Sequence, residues 1–228
     1  HTVSDMLKSP EIYTLQDAKQ TDITLDKNVL TNMQDDVERF NYISERYIGT
    51  SFVTSENKLP GFTQKEIRQM DIKGRFTDDK VLFLTFDDWG TEQSLNKLLY
   101  VLAKHDVKAT FFVTTQYADS NPNMLRAIAV QGHQIGSHTD EHLPLSDSVE
   151  GVTNKAVTLT EEEVQKLRKD LVTSYDKLYK YTGDVVEDGK PALSKMFRPP
   201  TLAVSKAGIS QVVDVGFEYS ISGDMSTD

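Results

Sequence analysis

From Val81 onward, short apolar runs alternate with stretches of helical spacing. VLFLTF (81–86) is a continuous apolar run, the pattern expected of a strand buried on both faces. Between Glu92 and His105, Leu95, Leu98, Leu99 and Leu102 fall on one side of a helix. KATFFVTT (108–115) is rich in aromatic and β-branched residues and predicts the next strand. NPNMLRAIAVQG predicts a helix capped by Asn121, with Pro122 in its first position and Gly132 at its end. HQIGSH (133–138) is a short third strand. The next helix, TEEEVQKLRKDLVTSYDKLYKYTG, opens on a Thr160–Glu163 capping box and stops at Gly183. KMFRPP (195–200) is strand-like up to its prolines; SKAGISQVVDVG (205–216) is helical and FEYSIS (217–222) is a strand. Strands alternating with helices predict an α/β fold on a parallel sheet, open or closed into a barrel.

Residues 1–78 have a different texture: polar, with scattered apolar positions. Helical spacing at Met33, Val37, Phe40 and Ile43 predicts a helix capped at Thr31 or Asn32, and a short helix starts at Thr63. The expected organisation is a mainly helical extension, or the tail of a preceding domain, over 1–78, followed by a second domain over 79–228. The opening HTVSDM has no initiator Met and suggests a cut chain, before which a signal or membrane anchor could lie.

The unusual polar residues fall where strands end. Asp87 and Asp88 close the first strand, His138 the third with His142 just beyond, and Arg198 the fourth, while Asp224 follows the fifth. In parallel α/β folds that carboxyl end is where active sites form, because the βα loops converge there. Composition narrows the partners. A formal charge of -10 argues against nucleic acid or an anionic membrane surface as the main one. The absence of cysteine excludes disulfides and thiolate chemistry. No apolar run approaches the roughly 20 residues of a membrane span.

Two imidazoles four residues apart and one carboxylate can hold a divalent metal while leaving positions open. Successive side chains of an extended strand diverge. Asp87 and Asp88 are therefore expected to divide the work, one as ligand and one as general base toward an activated water. A guanidinium at the same rim, Arg198, could keep that base ionised and oriented. Pro199 and Pro200 would stiffen the rim. His105 is expected to cap a helix and His133 to open a strand. Trp89 is either core or a platform for stacking a sugar.

TFDDWGT, KATFFV, GHQIGSHTDEHLPL, FRPP and GDMSTD, in that order, resemble the polysaccharide deacetylases with a NodB-homology domain, carbohydrate esterase family four. The resemblance covers about residues 80–228. It implies a distorted (β/α) barrel and removal of acetyl groups from chitin, peptidoglycan N-acetylglucosamine or acetylated xylan. It implies Asp87 as general base, Asp88, His138 and His142 as ligands of a divalent metal, commonly Zn2+, and Arg198 as the residue orienting Asp87. Pro199 and Pro200 would belong to the groove wall, and Asp224 or Asp228 to a motif that tunes a catalytic histidine. An extracellular or wall-associated bacterial enzyme is implied as well. Two departures bear on substrate choice: Trp89 stands where the family usually has Gly, and Thr201–Leu202 replace an aromatic–Gly pair. The family's general acid is a histidine near the domain's carboxyl end, and neither His1, His105 nor His133 occupies that place. The expectation is a barrel cut short at Asp228 that binds metal but turns over feebly.

Three functions compete. The first is a deacetylase of an N-acetylglucosamine polymer, the second an acetylxylan esterase, and the third a glycan-binding domain that keeps the metal cage without catalysis. Aspartyl-phosphate chemistry is disfavoured, because the acids of FDDWGT are adjacent and not separated by one residue.

Overall fold

A computed structural model describes residues 23–49, 59–70, 82–148 and 156–223. The sheet strands are β1 (Tyr47–Ile48), β2 (Thr85–Asp87), β3 (Thr110–Val113), β4 (Gln134–Ser137), β5 (Leu193–Phe197) and β6 (Tyr219–Ile221). The α-helices are α1 (Asp36–Ser44), α2 (Gln64–Gln69), α3 (Glu92–Lys104), α4 (Pro122–Val130), α5 (Glu161–Thr182) and α6 (Lys206–Asp214). The chain divides into two compact units; among the described residues one comprises 23–24, 82–141 and 173–194, the other 25–49, 59–70, 142–148, 156–172 and 195–223.

In the first unit β2, β3 and β4 pair in parallel, with Asp87 opposite Phe112 and Val113 opposite Ser137. Helices α3 and α4 are the crossovers. Thr91 caps α3 by accepting the Ser94 N–H, and His105 is its C-cap, as expected. Leu95, Leu99 and Leu102 are the buried side chains of that helix; each is worth about 1.5–3 kcal/mol of transfer free energy. Pro122 starts α4, and Gly132 follows it at φ +78°, a left-handed turn that costs glycine little. His133 precedes β4 and is a core residue: its Nδ1 accepts the Ala109 N–H at 3.2 Å. Burial, with Lys108 adding repulsion, pushes its pKa down to about 4, so the ring is neutral.

One expectation is corrected here. Over its described part, 82–86, the apolar run is not a strand buried on both faces: the ladder covers Thr85–Asp87, while Leu82 and Phe83 are 78% and 63% exposed. The reason is position: among the described residues β2 pairs with β3 alone and is an edge strand, so side chains leading into it have no second described strand beside them.

In the second unit β1 pairs with β6 and β6 with β5, again in parallel, with Tyr47 opposite Ser220 and Tyr219 opposite Met196. Tyr47 and Ile48, upstream of residue 79, are thus strand partners of a segment near residue 220. Helix α1 begins at Asp36 and not at Thr31 or Asn32. Asp35 is the cap, taking the Val37 and Glu38 N–H groups at 2.8 and 2.9 Å. Thr31 is engaged elsewhere, with its N–H and hydroxyl both donating to the Asp214 carboxylate. Phe40 and Ile43 are buried as their spacing predicts, whereas Val37 is exposed. The short helix α2 does start after Thr63, through a capping box with Glu66.

Leu145 ties the segment beyond residue 142 to α6. It bridges Val204, and its carbonyl accepts the hydroxyl of Ser205, the α6 cap. Gly208 permits this approach: a Cβ there would lie 2.7 Å from that of Leu145 and press on its backbone. Ala normally favours a helix over Gly by about 1 kcal/mol. Here Gly208→Ala is expected to destabilise by about 1–3 kcal/mol, the usual cost of overpacking. Thermal denaturation checks the sign, and a raised Tm would contradict the close packing.

Candidate metal centre

The end of β2 explains how two adjacent acids are presented differently. Asp87 is the last ladder residue. The Asp88 N–H still donates to the Phe112 carbonyl at 3.0 Å, but its φ is +76°, so the chain turns sharply there. Aspartate tolerates this left-handed conformation better than most residues. Both side chains are exposed.

His138 follows β4 directly, fixed by its own N–H donating to the Val113 carbonyl at 3.0 Å. It is 2% exposed. The chain then passes through two more left-handed residues, Thr139 at φ +68° and His142 at +58°. Such conformations cost of order 1–3 kcal/mol each and persist where the surroundings over-determine them. His138 Nε2 lies 3.6 Å from Asp88 Oδ1. Asp88, His138 and His142 each offer a ligand atom within 4.8 Å of the other two. Two neutral imidazole nitrogens and a carboxylate oxygen in that compass suit a divalent cation with open positions. The donor set fits a metal.

The sequence matches the polysaccharide deacetylase family model over residues 74–220. The chain belongs to the polysaccharide deacetylase family. Among similar proteins, a chitooligosaccharide deacetylase of Rhizobium leguminosarum bv. trifolii is 26% identical over 144 residues, covering 60% of this chain and 66% of that protein. A peptidoglycan-N-acetylglucosamine deacetylase of Bacillus cereus is 39% identical over 84 residues, covering 37% of this chain and 30% of that one. The Bc1960 peptidoglycan N-acetylglucosamine deacetylase structure aligns at a TM-score of 0.47 and 26% identity, covering 61% of this chain and 55% of that one. The chain therefore spans less than two thirds of the length of these relatives. The family resemblance carried by the motifs is borne out, as is the α/β class with parallel strands.

The other residues that the deacetylase resemblance singles out have varied settings. Arg198 is buried, and its Nε and Nη2 donate to the carbonyls of Ile221 and Ser222 at 3.1 Å each. It thus has a structural task at the end of β6 that FRPP alone does not signal. Pro199 and Pro200 are buried too, the latter opening a single tight turn in which Thr201 and Leu202 have φ of +56° and +57°. Trp89 is half-buried and lines a cavity of about 180 Å3 together with Phe86, Leu95, Leu98 and Met124. Asp224 and Asp228 lie outside the described residues. Residue type and spacing gave no sign of the left-handed backbone at Asp88, Thr139 and His142.

Proposed function

We propose that this chain carries the chemistry of a metal-dependent hydrolase that removes acetyl groups from N-acetylglucosamine residues of a peptidoglycan- or chitin-like polysaccharide, acting outside the cell or at the wall. The observation that carries it is the convergence of Asp88, His138 and His142 beside Asp87, in a chain of this family. Asp88, His138 and His142 hold the ion, which we take to be Zn2+. When bound, it supplies Lewis-acid polarisation of the acetyl carbonyl and makes water acidic enough to lose a proton near pH 7. Asp87 is the general base: its carboxylate takes the proton of the attacking water, a task for a group within hydrogen-bond reach. Its neighbour Trp89, half-buried, is the aromatic residue against which a sugar would stack. Pro199 and Pro200, being buried, are left out of the substrate contacts.

The test is acetate release from N-acetylglucosamine oligomers and from acetylated xylan, before and after chelation. Release from the oligomers is expected to fall to background on chelation and to return with added Zn2+. Release from acetylxylan alone would move the chemistry to an ester. Release that survives chelation would remove the metal from the reaction.

A further inference from the structure

Between the two histidines lies a carboxylate that this chemistry does not use. Asp140 is buried. Its Oδ1 accepts the Thr115 hydroxyl at 2.6 Å and Lys177 Nζ at 2.8 Å. Lys177, on α5, also donates to the Thr115 carbonyl at 3.3 Å and lies 4.0 Å from Asp119. The main chain repeats the attachment: the Thr115 N–H donates to the Thr139 carbonyl at 3.3 Å and the Gln116 N–H to the Asp140 carbonyl at 3.0 Å. The Thr139 N–H turns back to the Ser137 hydroxyl, itself 2.7 Å from that of Ser174 on α5.

A largely buried ion pair is a poor stabiliser, since desolvation offsets most of the Coulombic attraction and an apolar pair would often do as well. What this one does supply is direction. It clamps the residue next to a β-branched threonine held at φ +68°, a conformation that needs outside support. We propose that Lys177 and Thr115, acting through Asp140, are positioning residues that hold the His138–His142 loop so that its histidines face Asp88 before any ion arrives. The inference rests on the metal reading above. Its consequence is that the ordering of the loop is completed on folding and does not subtract from metal affinity.

The experiment uses the metal-free protein, with Asp140→Ala, Lys177→Met and the conservative Asp140→Asn, whose side-chain oxygen still accepts from both partners. Amide exchange of Thr115 and Gln116 reads the loop directly, because their N–H groups bind its carbonyls. In Asp140→Ala and Lys177→Met these two amides are expected to exchange at least about tenfold faster, with α3 amides unchanged, the signature of local opening. Zn2+ affinity, measured in parallel, is expected to fall about 10–100-fold, the usual effect of losing a supporting partner of a ligand. Asp140→Asn should restore both. If Asp140→Ala does not fold, Lys177→Met gives the same readout. Unchanged exchange at Thr115 and Gln116, or acceleration shared equally by α3, would overturn the positioning role. Local acceleration in a protein whose parent binds no Zn2+ would sink the metal reading and leave the loop assignment standing.

Discussion

Asp87→Asn is expected to lower acetate release by about 10²–10⁴-fold, the range lost when a general base is removed, while leaving Zn2+ binding unchanged. The substitution keeps shape and volume, and it removes the negative charge and with it the capacity to take a proton. Asp87 is exposed at the end of β2, so its replacement leaves no buried charge or cavity. The proposed ligand set, Asp88, His138 and His142, does not include it. A paired measurement therefore separates base from ligand: kcat for acetate release and the stoichiometry of Zn2+ by calorimetry. Activity within tenfold of the parent would remove Asp87 from the proton transfer. Loss of metal together with activity would exchange the roles assigned to the two acids.

Why the placement of Asp87, Asp88, His138 and His142 at or just past strand ends was legible in the sequence, and other features were not, follows from what each depends on. Strand ends in a βα chain are marked by apolar runs giving way to helix caps, and Thr160 makes the hydrogen bonds with Glu163 that its spacing predicts. Polar residues at those ends can be located without coordinates. Burial is different, because it depends on what covers a segment. VLFLTF has the composition of a central strand, yet Leu82 and Phe83 lead into an edge and stay exposed. A two-residue strand such as Tyr47–Ile48 has no period to detect, and its place beside β6 comes from a partner about 170 residues away in the chain. The cap of α1 moved to Asp35 because Thr31 found a tertiary partner in Asp214. Local propensity offers several candidate caps, and only the fold chooses among them. The same holds for Arg198, whose two backbone acceptors near residue 221 are invisible from FRPP. The position of a residue at a strand end was legible, while backbone direction, as at Thr139, was not.

His138→Ala should abolish specific Zn2+ binding, and the effect can be read without substrate. His138 is the buried member of the set, with Asp88 and His142 both exposed beside it. Its removal leaves two ligands that solvent competes for freely, and an affinity loss of at least about 10²-fold is expected, the upper end of what removing a mere supporting partner costs. Linkage turns that into stability. An ion at 100 times its Kd stabilises the folded state by about 2.7 kcal/mol. At the same Zn2+ concentration a variant bound 10²-fold more weakly gains only about 0.4 kcal/mol. Thermal denaturation of parent and variant, each with and without Zn2+, gives the difference of differences and cancels the variant's own effect on the apo fold. Equal stabilisation of both proteins would mean that the ion binds elsewhere, and Asp88, His138 and His142 would then be close neighbours without being a metal site.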